Sequence, residues 1–295
     1  MSTLRELKSR IGSVASTEKT TSAMKMISSA KMHKFTNQVH RMMPYRGMVR
    51  SVIGHLLATE VEFSSPLIAE RELQNVALVV FGSDDGLCGA FNINILKFLL
   101  RTIDEKRRTL GKNVAFTVIP VGKKIVKAVR NLKGADFSIE TVDYMNTRSD
   151  AGQLHDFTDM LKRRFLEHDY DQVNLVYMRF QSTGRQVPTC ELMLPVSYQS
   201  LMQEADRSAA NSPCLFEPDA NAIFNSVLPL YIRSMMQEVF IESSASEQAT
   251  RVMAMQTASD NAADLLDELN LEYNKLRQQS ITTELLDIIG GQVER

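Results

Sequence analysis

The C-terminal third of the chain carries an apolar repeat whose steps alternate between three and four residues. Such spacing places one stripe along a helix and is typical of a coiled coil. We expect a helix that begins near Asp219 or just after Pro229 and ends at the Gly290-Gly291 pair, which would cap it. The eight stripe positions, six of them large and apolar, are Val252, Met255, Ser259, Ala262, Leu266, Leu269, Tyr273 and Leu276.

The N-terminal segment carries a matching stripe. Ser2 or Thr3 is placed to cap this helix, with Glu6 in its first turn. Pro44 predicts a kink or a break, and the helix should stop by about Pro66. If helical, the first 57 residues would span about 85 Å, which is too long to pack within one globule. The first stripe positions are Leu4, Leu7, Ile11 and Val14.

The middle of the chain alternates between strand and helix patterns. Apolar, β-branched runs predict strands at 75–82, 113–122 and 172–180, with an edge strand at 187–196. Helical spacing is found at 93–108, 123–132 and 153–169. This βαβ order predicts a mostly parallel sheet with helices on its faces.

These patterns together predict an α/β fold with three parts. The N- and C-terminal helices, at 1–65 and 219–295, form a long antiparallel coiled coil. A Rossmann-like α/β domain at 73–200 is inserted between them. Residues 203–218 are expected to form a polar loop that returns to the C-terminal helix.

Composition excludes several classes of protein. The 34 basic and 35 acidic residues give a net charge of -1, so no global charge favours nucleic acid or anionic lipid as a partner. Three cysteines without CxxC spacing argue against a disulfide framework or a structural zinc site. No apolar run approaches the roughly 18 residues of a membrane span. We therefore expect a soluble or peripheral protein without metal or cofactor.

The turn GSDDGLCGAFN, at 82–92, permits two interpretations. As an active site, it would offer Cys88 as a nucleophile or its glycines as a phosphate cradle, because helix N-termini attract anions and lower thiol pKa values. However, the glycines do not match GxGxxG, and Asp84 and Asp85 put negative charge where an anion would lie. A buried structural cysteine beside a tight turn is the favoured interpretation.

The end of the C-terminal helix differs from a simple dimerisation stalk. Polar residues at 17–31 and 277–284 interrupt the stripe where a stalk would carry Leu and Ile. An exposed helix end that is apolar nearly all round needs a partner protein around it. The apolar residues of this tip are Ile281, Leu285, Leu286, Ile288 and Ile289.

Both terminal segments resemble the gamma subunit of F-type ATP synthases. IGSVASTEKTTSAMKMISSAKM, at 11–32, is similar to the N-terminal signature helix of that family, and 246–291 is similar to its C-terminal helix. GLCGAFN and PYRGMVRSVIGHL match as well. The resemblance covers the chain from end to end and is weaker in the middle.

The resemblance implies a central rotor shaft that catalyses nothing itself. The terminal helices would turn inside a ring of three alpha and three beta subunits, and the α/β domain would form a foot on the membrane c-subunit ring and the epsilon subunit. Proton flow through the ring would turn the shaft, which forces the catalytic sites through different nucleotide affinities. Because the chain begins with Met1 and no presequence, the expected location is the cytoplasmic face of a bacterial plasma membrane.

The resemblance also carries contact residues over to matching positions. In the foot, contacts with neighbouring subunits are implied for Asp85, Cys88, Cys214, Phe216 and Glu217. The apolar tip would turn in an apolar collar. The shaft positions implied to face a beta-subunit loop are Met24, Lys25, Arg251, Gln278 and Thr282.

Several positions depart from the family pattern, and Cys214 and Phe216 represent the family's aromatic residues near 214. Asp85 replaces the frequent lysine or glutamine before GLCG, Gln292 replaces an alanine, and Pro229 lies within the expected C-terminal helix. From the residues alone, two other classes stay open. One is an enzyme with Cys88 as its nucleophile on a doubly wound domain, and the other is a cytosolic coiled-coil adaptor.

Overall fold

The computed structural model describes residues 3–57, 61, 63–111, 113–132, 136–197, 201 and 216–293, with side chains up to 286 and at 288. Contacts within the chain divide it into two compact units. Residues 1–29 and 251–295 form one unit, here called the terminal pair. Residues 30–250 form the other, here called the α/β unit. The predicted polar loop at 203–218 lies mostly outside the described residues.

Helix α1 spans Leu4–Leu57 and is continuous through Pro44. Its start is capped as expected, because the Glu6 amide donates to the Thr3 hydroxyl at 3.3 Å and the Thr3 amide donates to the Glu6 carboxylate at 2.8 Å. Of the kink or break expected at Pro44, the break is wrong, and the kink stays a prediction. Pro44 and His40, whose carbonyl loses its partner, are both exposed, so water can satisfy that carbonyl.

Helix α5 spans Ala220–Val293 and includes Pro229. Asp219 caps it, because its carboxylate accepts the Ala222 amide at 2.8 Å. The prediction that the Gly290-Gly291 pair ends the helix is wrong, since the helix continues to Val293. Glycine costs only about 1 kcal/mol per helical position relative to alanine, which does not by itself stop a helix of this length.

The terminal pair is built on the predicted stripe. Leu7 of α1 and Met255, Ala262 and Leu269 of α5 are buried, and the other predicted stripe positions are half-buried. The two chain ends pack together as an antiparallel coiled coil. Small and polar residues continue the α1 stripe beyond Val14, as the buried Ser28 illustrates.

The α/β unit contains a five-stranded sheet of order β3-β2-β1-β4-β5. Strands β1 to β4 are parallel, and β5 takes the edge position that the sequence predicted. Its antiparallel direction was not predicted. The short strand β3 was not expected. The strands are β1 Asn75–Phe81, β2 Ala115–Val121, β3 Ser138–Ile139, β4 Gln172–Ser182 and β5 Arg185–Leu194.

Helices cover both faces of this sheet. Helices α2 (Phe91–Leu110) and α3 (Lys123–Arg130) pack on the face that carries Val76, Leu78 and Val80. Helix α4 (Ala151–Leu166) packs on the opposite face, which carries Ala77, Val79 and Phe81. The parts of α1 and α5 that belong to the α/β unit, residues 30–57 and 220–250, also pack on that second face. Ile53 and Met236 are examples. The predicted Rossmann-like domain therefore uses the long helices to complete its core.

Candidate functional site

The turn at 82–92 lies at the carboxyl end of β1, next to β4, where the strand order changes direction. This is the position at which open α/β sheets usually bind ligands. Here the backbone is packed against α3 instead. The Gly82 amide donates to the Val121 carbonyl at 2.9 Å, and a Cβ atom on Gly82 would lie 2.3 Å from Cβ of Ile125. Glycine is required at this position because a helix approaches the backbone closely.

Cys88 is held inside this turn. Its side chain is 3 % exposed, the Asn92 amide donates to its sulfur at 3.4 Å, and the Ser83 hydroxyl lies 3.6 Å away. A thiol nucleophile needs access to substrate and a neighbouring base. A hydroxyl and an amide do not act as bases, so the geometry favours a packing role for Cys88.

Asp84 ties three segments of the fold together. One carboxylate oxygen accepts the Lys123 amide at 2.9 Å, at the start of α3. The other accepts the amide and the hydroxyl of Thr147 at 3.0 and 2.7 Å. Asp84 therefore satisfies two backbone donors that would otherwise lack partners.

Replacing Asp84 with alanine should lower the free energy of unfolding by about 2–3 kcal/mol, because three hydrogen bonds to one carboxylate are lost. Asp85 supplies the matched control. Its ion pair with Arg148 is exposed and weakened by water, so its loss should lower the free energy of unfolding much less. Urea unfolding followed by tyrosine fluorescence measures both values. Equal losses for Asp84→Ala and Asp85→Ala would contradict the anchoring role of Asp84.

The surface of the turn combines a charged pair with an apolar side chain. Arg148 donates to the Asp85 carboxylate at 2.7 Å, and this hydrogen bond, with the carboxylate's charge, raises the pKa of Arg148. Beside them Leu87, at a φ of 60°, is 59 % exposed. A turn that exposes a leucine near charged groups is suited to contact with another protein.

The shaft residues singled out in the sequence differ in accessibility. Met24 and Lys25 are half-buried, while Gln278 and Thr282 are exposed, one helical turn apart. The Thr282 hydroxyl donates to the backbone carbonyl of Gln278 at 2.9 Å. Arg251 is 6 % exposed, so its side chain contributes to packing within the chain itself.

The tip of α5 exposes a run of apolar residues. Leu285 is 54 % exposed, and every side chain described from 281 to 288 is exposed. The side chain of Ile289 lies outside the described residues. A helix end of this composition leaves apolar surface in water unless another chain covers it. The large apolar residues exposed here are Ile281, Leu285, Leu286 and Ile288.

The remaining foot residues do not join the turn in one cluster. Phe216 packs against the core on the α4 face of the sheet, whereas Cys88 belongs to the core on the opposite face. Glu217 is exposed, and Cys214 lies outside the described residues. The structure therefore places the predicted foot contacts at two separate locations in the α/β unit.

Among the described side chains, no group of three or more His, Cys, Asp or Glu is placed to hold a metal ion. Within the same part of the chain, no helix has an apolar stretch long enough to cross a membrane.

Comparison with known proteins identifies the same family that the terminal segments resemble. The family model described as ATP synthase matches residues 3–293. The ATP synthase gamma chain of Phocaeicola vulgatus is 41% identical over 292 residues, covering 99% of both chains. That of Neisseria meningitidis is 34% identical over 288 residues, covering 97% of both chains.

A solved structure shares the fold. A chain from the mitochondrial ATP synthase of Euglena gracilis, in a structure of OSCP, F1 and the c-ring, matches with a TM-score of 0.66 and 18% identity. The match covers 98% of the present chain and 93% of the other. The full-length sequence matches define the class: the chain belongs to the ATP synthase gamma-chain family.

Proposed function

We propose that this chain is the central rotor shaft of an F-type ATP synthase. The observation that carries the proposal is an exposed apolar helix tip at the end of a coiled coil, in a chain that matches gamma chains along its whole length. In this role the terminal pair turns inside a ring of three alpha and three beta subunits. The α/β unit couples that shaft to the c-subunit ring and the epsilon subunit.

Rotation transmits energy by a population shift. Each orientation of an asymmetric shaft stabilises one conformation of a beta subunit through contacts that the other conformations lack. A tenfold shift in a conformational equilibrium needs about 1.4 kcal/mol of such differential contact. A few hydrogen bonds that form in one orientation and break in the next are sufficient for each step.

The polar positions of the shaft are suited to these orientation-dependent contacts. Gln278 and Thr282 are exposed on one face of α5, and Lys25 on α1 is half-buried with a cationic end. Carboxylates on a beta-subunit loop would accept hydrogen bonds from Gln278 and Lys25 in some orientations only. The Thr282 hydroxyl could join them when its proton turns away from the Gln278 carbonyl. Met24 would pack beside the same loop. Arg251 also belongs to this proposed set, but its burial means that its replacement will affect packing as well.

The apolar tip, in contrast, must be supported equally in every orientation of the shaft. Ile281, Leu285, Leu286 and Ile288 present no directional donors or acceptors from their side chains, and we extend the same role to Ile289 from the sequence. Apolar contact is non-directional. A collar of apolar side chains around the tip would therefore support it in every orientation at a similar free energy.

In the foot, two surfaces are proposed to meet neighbouring subunits. The turn with Asp85, Leu87 and Cys88 would face the moving part of a beta subunit, with Cys88 as the packing residue beneath it. The segment with Cys214, Phe216 and Glu217 would face the c-subunit ring and the epsilon subunit. The chain itself would perform no catalysis and need no cofactor. Its place would be the cytoplasmic face of a bacterial plasma membrane.

Co-assembly tests this function. The chain, expressed with alpha and beta subunits, should purify in a complex of three alpha, three beta and one gamma that hydrolyses ATP. The Cys88→Ala variant should assemble and turn over at a near-normal rate. Chemistry catalysed by the isolated chain and abolished in Cys88→Ala would support the enzyme alternative instead. Failure to bind alpha and beta subunits would favour a coiled-coil adaptor.

Replacement of Gln278 with alanine tests the shaft contacts. We expect the ATPase rate of the assembled complex, or its coupling to proton transport, to fall several-fold while the helicity of the isolated chain is unchanged. Gln279→Ala is the matched control, because Gln279 is an exposed neighbour outside the proposed contact set. The same rates and coupling in both variants would contradict the role of Gln278.

A further inference from the structure

A cavity of about 450 Å³ lies beside α3, at the carboxyl ends of β2 and β3. Its size is within the range of small-molecule sites. It lies at the carboxyl ends of two parallel strands, away from the switch point between β1 and β4. The turn at 82–92 lines a different cavity, which contains Asp85. The cavity beside α3 is therefore separate from the surfaces discussed so far.

One wall of this cavity is strongly basic. Lys123, Lys127 and Arg130 line it from α3, and all three are exposed. Their spacing of four and three residues places them on one face of the helix, spread over about 10 Å. The Arg130 guanidinium donates to the Thr141 hydroxyl at 3.3 Å across the cavity rim. This bond restrains a cation that would otherwise be free to leave the rim.

The charges of the lining residues do not balance. Three cations face one carboxylate, that of Asp143, which leaves a net charge of +2. The N-terminal amides of α3 do not add to this attraction, because the Lys123 amide is bonded to Asp84 and the Lys124 amide to the Ser83 carbonyl. An anion in this cavity would therefore be held by side chains, and a dianion would match their net charge.

The floor of the cavity is apolar. Met145 is buried at its base, and Pro120, Val126 and Val142 contribute further apolar surface. Asn131 lines the cavity with an amide that can both donate and accept. An inorganic anion would use the basic wall and leave this floor unused. A flat apolar ring that carries a phosphate group would use both.

We propose that this cavity binds a nucleotide-sized organic phosphate, with the phosphate groups on Lys123, Lys127 and Arg130 and the ring on the floor formed by Val126, Val142 and Met145. Such a ligand is bound and not chemically altered. The site belongs to the free chain and does not depend on the proposed assembly with alpha and beta subunits. Failure of one proposal therefore leaves the other standing.

Titration calorimetry of the full chain with ADP, at low ionic strength and without other subunits, tests this site. We expect one saturable site with a Kd below ~1 mM. The double variant Lys127→Gln/Arg130→Gln should raise that Kd at least tenfold. Lys97→Gln/Lys124→Gln removes the same charge from exposed positions outside the cavity and should leave the Kd within twofold. Circular dichroism verifies that both variants fold.

Pyrophosphate separates a nucleotide site from a simple basic patch. Binding of ADP at least tenfold tighter than pyrophosphate would support a role for the apolar floor. Equal binding of the two, an equal loss in both double variants, or no saturable binding of ADP to the unmodified chain would each overturn the proposal.

Discussion

Replacement of Gly82 with alanine is expected to destabilise the α/β unit by about 3 kcal/mol or more, because the new Cβ atom overpacks a site that cannot expand. That atom would lie 2.3 Å from Cβ of Ile125 and 2.5 Å from its Cγ2. The Cβ atom of Ile125 is fixed to the backbone of α3. Relief of the clash therefore requires movement of the whole helix away from β1, which would open the core around Ile125 and Val129.

Gly86 provides the control in the same turn. The nearest atom to a Cβ on Gly86 would be the flexible Cε of Lys124, at 3.8 Å. Gly86→Ala should therefore change the free energy of unfolding by no more than about 0.5 kcal/mol. Urea unfolding of the two variants gives the comparison. A loss below 1 kcal/mol for Gly82→Ala would mean that α3 does not pack against β1 as described.

The second large effect is expected at Leu269 in the terminal pair. Leu269 is 4 % exposed, and its replacement with aspartate removes a buried side chain and puts a charge in its place. The cost should be at least about 3 kcal/mol. Hydrogen exchange measured on peptides from 4–28 and 255–280 should therefore speed up by about a hundredfold or more, because the two helices separate more often.

Leu271 is the matched control for this change. It lies two residues further along α5 and is 72 % exposed. Leu271→Asp introduces the same chemistry and should leave exchange in both helices nearly unchanged. Only Leu269→Asp should also reduce assembly with alpha and beta subunits, since the proposed shaft needs both helices. Equal protection in the two variants would show that the predicted stripe is not the packing surface of the pair.

Periodicity was sufficient to predict most of the fold. The stripe from Val252 to Leu276 and the apolar run at 75–81 are local sequence patterns. Their residues are buried or half-buried in the structure, as these patterns predict. The positions at which a helix breaks or ends were harder to predict. Pro44 and the Gly290-Gly291 pair are unfavourable locally, yet the helices continue through both. Cooperative hydrogen bonding over long helices outweighs a single unfavourable residue.

The candidate site was only partly predictable, because some of its contacts join residues that are far apart in the chain. The apolar tip can be recognised from neighbouring residues in the sequence. Its exposure was predictable because it lies beyond Leu276, the last position of the stripe. The anchoring role of Asp84 depends on Thr147, which is 63 residues away in the chain, and no local pattern indicates that contact. The requirement for glycine at 82 depends likewise on the close approach of Ile125.

Rotation of the chain as a shaft can be observed directly in single assembled complexes. Native cysteines would be replaced by alanine and a bead attached through Lys97→Cys, an exposed position on α2. With alpha and beta subunits fixed to a surface, ATP should drive the bead in one direction with three dwell positions per turn. Hydrolysis of ATP by the same complexes while the attached bead stays still would show that the chain does not turn as a shaft.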